Sequence, residues 1–560
     1  MFERDPMALR EKDQLTDQIT HYLTRIISDT NGVTVNDTLN LLLNSKELIQ
    51  NQRIHSLFKE FHQKLLRYQP GQSDINQLLE HPVSKGFYQY FKNFPLRYQD
   101  DHIHLTGSLT ADFIYKHLKQ MLQSSDEQTY KEKLIDIYGP NSWPINSVKD
   151  VENLIQLGKS DRFSRYLKIL MLAKMILRDQ ETYKQAAWHM AESLHCKYNI
   201  GHIRLKFTYS RVSSSEKENS PHELSPEQVV LGLYEGFESY RRENPDFSYT
   251  LSPSFRKETW FYDDRNYGSK KEDFDAQVLS ILNLLDRYPE LNTCLKEVDT
   301  VGDERDLYSK SSFNHMKAGM RKLSYRGFQI RSHHGEVWHT LKKGVQAVDN
   351  AMNIWHINTL EHGLSLGINP NIYYQNLFQK VMDSNSQKTP IAPDSTIGKE
   401  LAEFPWEDNL EIFQHLKDGK VLNQSQIRSF CKTKFHHARE VEHYQHDTLN
   451  RMIDKKVSLT ALPSSNRLLT DFIPGYQDHP FSWWEKKGVD LAVGTDNYIT
   501  LKTDYIQEML SLLFSNPELK ITKLLMVTTG EKRRPFLSSR LWHMREQLDQ
   551  ASTLSVVFLQ

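Results

Sequence analysis

The sequence predicts an α/β protein: a (β/α)8 TIM barrel with an all-helical N-terminal extension and a mainly helical insertion between the sixth and seventh strands. Three observations carry that expectation. From about residue 96, short apolar segments alternate with long helical ones, the pattern of a parallel sheet. Eight such segments can be counted, the number that closes a barrel. The first, fifth, sixth and eighth end in His, Asp or Glu, and barrels of this kind carry their active-site groups at the C-terminal ends of the strands.

Residues 1–95 read as helices. Apolar positions recur at helical spacing in 15–27 (Ile19, Leu23, Ile26, Ile27) and 54–66 (Leu57, Phe58, Phe61, Leu65). They carry no chemistry, so their expected role is packing over the barrel or contact with a partner. Residues 96–560 are expected to form the barrel, with strands at about 97–104, 202–209, 247–252, 295–301, 326–333, 354–362, 457–463 and 489–496. Helical patterns lie between them, as where Ser225-Pro226-Glu227-Gln228 opens a helix to Arg241 with Pro in its first turn.

The first strand ends in His102-Ile103-His104. Side chains alternate along a strand, so both imidazoles share a face and can grip one ion. The third is expected to end at Ser252-Pro253, and the fourth to run into Gly302-Asp303-Glu304, where a glycine lets a backbone N–H approach a ligand. The fifth ends at His333, with Glu336 three residues on across a glycine. The sixth delivers Glu361-His362-Gly363, the seventh Pro463-Ser464-Ser465-Asn466-Arg467 and the eighth Thr495-Asp496-Asn497. Ligand and acid-base residues at four strand ends point to one metal centre.

The insertion, about 368–455, holds a Pro/Ser/Thr/Gln-rich stretch at 384–396 that reads as an exposed loop. Beyond it His436, Glu440, His443 and Asp447 share one helix face, read as a solvated polar face because a single helix rarely supplies a whole catalytic site.

Bulk properties narrow the partners. Of 560 residues, 70 are Lys or Arg and 71 Asp or Glu, which leaves no clear nucleic-acid footprint. Cys196, Cys294 and Cys431 stand far apart without C-x-x-C, which fits a reducing, cytoplasmic setting and excludes a Cys-built zinc site. No apolar leader or membrane span is expected. Surfaces of 1–95 and 368–455 are the places expected to meet a second copy or a protein partner.

With His102-x-His104-Leu-Thr-Gly-Ser, His333-His334-Gly335-Glu336, Glu361-His362-Gly363, Pro463-x-Ser465-Asn466 and Thr495-Asp496-Asn497 in that order, the chain resembles the adenosine deaminase family of the amidohydrolase superfamily over about 96–540. Stretches around Ser225 to Arg241 and Asp299-x-x-Gly302-Asp303-Glu304 are similar as well. The resemblance implies one zinc ion held by His102, His104, His333 and Asp496. It implies that Glu336 protonates the purine N1, that His362 orients or deprotonates the attacking water, that Gly302 offers its N–H to the purine, and that Asn497 faces N7. Three positions depart from the family, which has Ala at His334, Asp at Thr106 and a second Asp at Asn497. His334-Gly335-Glu336 also matches the H-x-E of another zinc deaminase fold, but the P-C-x-x-C that fold requires is absent.

The expected activity is zinc-dependent hydrolytic deamination of an adenine nucleoside or, preferentially, a 5′-phosphorylated adenine (deoxy)nucleotide. Thr106 removes the carboxylate that accepts the ribose 5′-hydroxyl in the family, and basic residues (Arg211, Arg256, Lys257, Arg305, Lys310, Arg467, Lys502) follow several strands. The alternatives are a binding or assembly protein on a deaminase scaffold and, more weakly, an amidohydrolase of another ring amine or a phosphoester.

Overall fold

Parallel pairing runs unbroken through eight strands in chain order: β1 (Tyr98–His104), β2 (Ile200–Thr208), β3 (Ser248–Arg256), β4 (Glu297–Val301), β5 (Gln329–His334), β6 (Thr359–His362), β7 (Ser458–Ala461) and β8 (Leu491–Val493). A computed structural model describes residues 6–29, 33–69, 71–124, 127–158, 163–210 and 224–530. The ring is completed just past β8, where Ile103 pairs with Asp496. There the His104 N–H donates to the Asp496 carbonyl at 2.8 Å and the Asp496 N–H to the His102 carbonyl at 2.9 Å. The same exchange that shuts the barrel therefore fixes three of the expected ligands side by side.

Every expected strand is present, and the boundaries differ for identifiable reasons. β3 continues through Pro253 to Arg256, because its register with β2 runs through Pro253 to Ser254 and its register with β4 carries on from Ser254 to Arg256. β5 runs one residue further than expected, so His333 lies inside the strand. β6 starts at Thr359 because residues 351–355 make a π turn, with Trp355 donating from Nε1 to the Phe313 carbonyl at 2.9 Å. β7 stops at Ala461 because Pro463 opens the helix Pro463–Leu469. The expected helix after β2 spans Pro226–Glu243, with Ser225 and Gln228 forming a capping box.

The barrel interior is charged where many are aliphatic. Ile203, Leu205 and Phe207 of β2 are buried in the apolar core, while the alternate Arg204 and Lys206 meet Asp101, Glu297, Asp299 and Glu361. Arg331 of β5 adds a 2.5 Å contact to Glu361 and a 3.0 Å hydrogen bond to Thr460 Oγ1. Buried charges of this kind persist only when paired, and each of these is.

The N-terminal helices share one apolar core with the barrel. Phe61 and Phe87 place their rings 5.4 and 5.9 Å from Phe514 on the barrel helix Tyr505–Ser515, and Tyr68 Oη lies 3.2 Å from Ser515 Oγ. The insertion instead has its own core, including Phe404, Trp406 and Phe430, over the helices Pro370–Ser386, Thr396–Ala402, Leu410–Asp418 and Gln424–Asp454. Part of the stretch expected as a loop is thus helical, to Ser386. The insertion is tied to the barrel by the Leu341 N–H donating to Glu400 at 2.8 Å and by Gln445 donating to the Ser365 and Ile368 carbonyls. His436, Glu440, His443 and Asp447 are all exposed. No helix among the described residues is long and apolar enough to cross a membrane.

Candidate metal centre

Five ligand-type side chains converge at the C-terminal mouth of the barrel. His104 Nε2 lies 3.1 Å from His102 Nε2, 3.3 Å from His333 Nε2 and 3.5 Å from Asp496 Oδ1. Two overlapping trios have all their ligand atoms within 4.8 Å of one another: His102, His104 and Asp496, and His102, His333 and His362.

The far side of each ring explains which atoms face inward. His102 Nδ1–H donates to Glu361 at 2.8 Å, and His333 Nδ1–H to Asp299, 3.1 Å from its nearer oxygen. A neutral imidazole whose proton sits on Nδ1 presents a bare lone pair at Nε2, the form that binds a metal. Burial holds His102 and His333 well below the usual imidazole range and His104 down to about 3, so all three rings are neutral. The single Nε2 of His104 cannot put one proton between both neighbouring lone pairs; a cation at their centre satisfies all of them. Asp496 supports the same reading, since burial pushes it up to about 7, a penalty that a bound cation removes. Ser465 Oγ donates to its Oδ2 at 2.5 Å. The donor set of imidazole nitrogens and a carboxylate suits Zn2+.

Beneath the cluster, Glu361 is held in place by Lys206 at 2.9 Å and Arg331 at 2.5 Å. Burial would raise its pKa, but the Arg331 and Lys206 charges outweigh that and hold it well below the usual carboxylate range. Lys206 also reaches Asp299 at 3.3 Å, so one ammonium supports the acceptors of both His102 and His333.

Beside the cluster lies a cavity of about 170 Å3 lined by Thr106, Lys174, Arg256, Gly302, Glu336 and His362 among others. Glu336 is 8% exposed, and burial first, with Asp303 and Asp299 behind it, raises it to about 7 against the opposing Lys257 charge. Its loop is pinned by Glu304, whose carboxyl accepts the N–H groups of Gly335, Glu336 and Val337 at 3.0, 2.7 and 3.0 Å. His362 Nε2 faces Glu336 Oε1 at 3.8 Å. His362 and Asp496 both hold left-handed backbone, φ 68° and 67°, a strain that non-glycine residues adopt mainly where a site demands it. Gly302 needs its missing side chain, since at φ 109° an added Cβ would stand 2.2 Å from a Glu258 oxygen.

The expected site residues thus meet in one place, except Asn497. Its amide donates to Asp496 Oδ1 at 2.5 Å and to Tyr166 Oη at 2.7 Å, and it sits where a Cβ on Gly107 would fall, so it does not line the cavity. Among the basic residues, Arg256 lines the cavity while pairing with Glu258 at 2.5 Å. Lys257 is buried and donates to the His333 carbonyl, Arg305 pairs with Asp303, and Arg467 and Lys502 line a different cavity against the N-terminal helices. Lys310 is the first residue of the helix Lys310–Tyr325, and Arg211 lies outside the described residues. Sequence reasoning missed Lys206, Lys174 and His479, and gave Glu304 no role. For Lys206 a signal existed: a charge at period two in an otherwise apolar strand.

The fold and cluster define a class: a closed eight-stranded parallel barrel carrying a candidate histidine and carboxylate metal site at its mouth, next to a carboxyl group that burial raises to about 7. No protein-family model and no curated protein matches the chain. Among solved structures it is similar to an adenine deaminase from Arthrobacter aurescens (11% identity, 81% of this chain and 99% of that chain, TM-score 0.48). It is also similar to an amidohydrolase from Burkholderia ambifaria with bound Zn (13%, 82% and 93%, TM-score 0.45) and to the N6-methyl-AMP deaminase of Arabidopsis thaliana (13%, 81% and 96%, TM-score 0.44).

Proposed function

We propose that the chain is a metal-dependent hydrolytic deaminase that converts an adenine nucleoside, or preferentially a 5′-phosphorylated adenine (deoxy)nucleotide, to its inosine form with release of ammonia. The observation that supports it most is the pairing, across one cavity, of the ligand cluster with a carboxyl group held up to about 7. His102, His104, His333 and Asp496 would hold a divalent ion, zinc foremost, which when bound would supply a water nucleophile active at neutral pH. Glu336, as a neutral acid, donates to a ring nitrogen as the amine-bearing carbon is attacked, so that electrons have a place to go. His362, opposite Glu336, holds the attacking water or takes its proton.

The preference for a phosphorylated substrate rests on Thr106, which lines the cavity with Lys174 and Arg256. A carboxylate there, about 4 Å from a phosphate, would repel it by roughly 4 kcal/mol at an effective dielectric of about 20. The test is the ratio of kcat/KM for AMP, dAMP and ATP to that for adenosine, in wild type and in Thr106→Asp. Higher efficiency on a nucleotide, reversed by Thr106→Asp, supports the reading; adenosine winning in wild type, or a ratio untouched by the substitution, overturns the nucleotide preference.

A further inference from the structure

One histidine of the cluster turns its outer nitrogen to a side-chain amide where His102 and His333 meet carboxylates. His362 Nδ1 lies 2.9 Å from the side-chain Oδ1 of Asn466, and the Nδ2 of that amide lies 3.1 Å from His479 Nε2. All three residues are buried. The chain of contacts ends on a group whose role is not negotiable: the backbone N–H of Phe481, which donates to His479 Nδ1 at 3.3 Å. Phe481 opens the helix Phe481–Lys487, so its N–H has no acceptor inside the helix.

Protons can be counted outward from that point. His479 Nδ1 accepts, and burial holds this ring down to about 3, so its one hydrogen sits on Nε2. The Nε2–H needs an acceptor, and the group facing it is the Asn466 amide. With the amide nitrogen toward His479, that ring would face two donors with a single lone pair. The amide turned by 180° fills the same volume and gives every group a partner. Its oxygen then accepts from His479 and its NH2 donates to His362 Nδ1, which leaves the His362 hydrogen on Nε2, the atom aimed into the cavity.

We propose that His479, through Asn466, sets His362 in the tautomer with hydrogen on Nε2, making it a hydrogen-bond donor to the reacting centre and not a metal ligand. His102 and His333, with Nδ1–H spent on Glu361 and Asp299, present lone pairs. His362 presents a proton. The geometric trio of His102, His333 and His362 is thereby ruled out as a ligand set of neutral rings. Within the deaminase reading, on which this consequence rests, the neutral ring aims the oxygen of the attacking water and does not take its proton. His479 and Asn466 are positioning residues.

The test is 15N spectroscopy of protein labelled at histidine, without substrate, metal-free and zinc-loaded, with His362 assigned by its loss in His362→Gln. The expected wild-type pattern is a protonated Nε2 and bare Nδ1 at His362. Asn466→Asp, whose carboxylate accepts from both rings, reverses it. In turnover, Asn466→Asp and His479→Leu lower kcat by roughly tenfold or more with KM changed by less than about twofold. His479→Gln, whose amide still donates to Asn466, recovers most of that loss. A wild-type His362 protonated at Nδ1 overturns the proposal whether or not any variant folds. The expected pattern in a protein that deaminates nothing leaves the tautomer standing and defeats the deaminase reading alone.

Discussion

Replacing Glu336 with Gln keeps the shape of the side chain and removes its transferable proton, which isolates the acid on which the proposed turnover depends. Burial lifts this carboxyl from 4.5 to about 7, a bias toward the neutral form of about 3 kcal/mol. The sign follows from the direction of the shift. A raised folded-state pKa keeps the group protonated below about 7, and both the acid and its contribution to stability are lost as pH rises from 4.5 through about 7. If Glu336 must be neutral to donate, kcat/KM falls on the alkaline side with an apparent pKa near 7, by about 50-fold between pH 7 and 9. His362 lies 3.8 Å away, so the limb belongs to the interacting pair until a variant assigns it. The assay is ammonia release against pH for wild type and Glu336→Gln. Loss of at least about 100-fold in kcat at pH 7, with metal content unchanged, is the expected result. Wild-type turnover in Glu336→Gln, or efficiency flat to pH 9, refutes the assignment.

His333→Ala removes metal binding and activity together, while Asp299→Asn, which weakens the acceptor behind His333 and the charge partner of Lys206, lowers metal affinity by about 10–100-fold; metal titration monitors both. Gly302→Ala forces a Cβ against Glu258 at a left-handed backbone position and lowers stability by about 1–3 kcal/mol, read as a fall in Tm. Glu400, buried and raised to about 7, joins the insertion to the barrel, so stability declines as pH rises from 4.5 through about 7; Glu400→Gln flattens that decline in thermal melts at pH 5 and pH 8. Phe514→Ala empties the seam between barrel and N-terminal helices, costing about 3–5 kcal/mol by denaturant unfolding.

The parts of the site legible in the sequence are those that obey a local rule. His102 and His104 share a strand face because side chains alternate, and His333, His362 and Asp496 were recognisable because barrel strands end where chemistry gathers. What was hidden depends on contacts across the barrel. Glu361 stood in plain view beside His362, yet its role comes from Lys206 and Arg331 on other strands. His479 lies in a loop before a short helix, and nothing in its neighbourhood announces that its Nε2 meets Asn466. Asn497 follows a candidate ligand directly and still turns from the cavity, because Tyr166, from a helix between β1 and β2, and Gly107 receive it. The N-terminal helices were readable as helices from their 3.6-residue period, whereas their seat on Phe514 lies at the other end of the chain.

The most direct test measures metal and ammonia in the same preparation. Protein stripped of metal is reconstituted stepwise with Zn2+ while ammonia release is followed on adenosine, deoxyadenosine and their mono-, di- and triphosphates. The expected result is a rate on at least one of these that climbs in proportion to occupancy and levels off at about one ion per chain. Full occupancy with no ammonia from any member of the panel, or ammonia released at the same rate without metal, contradicts the assignment of this barrel as a metal-dependent adenine deaminase.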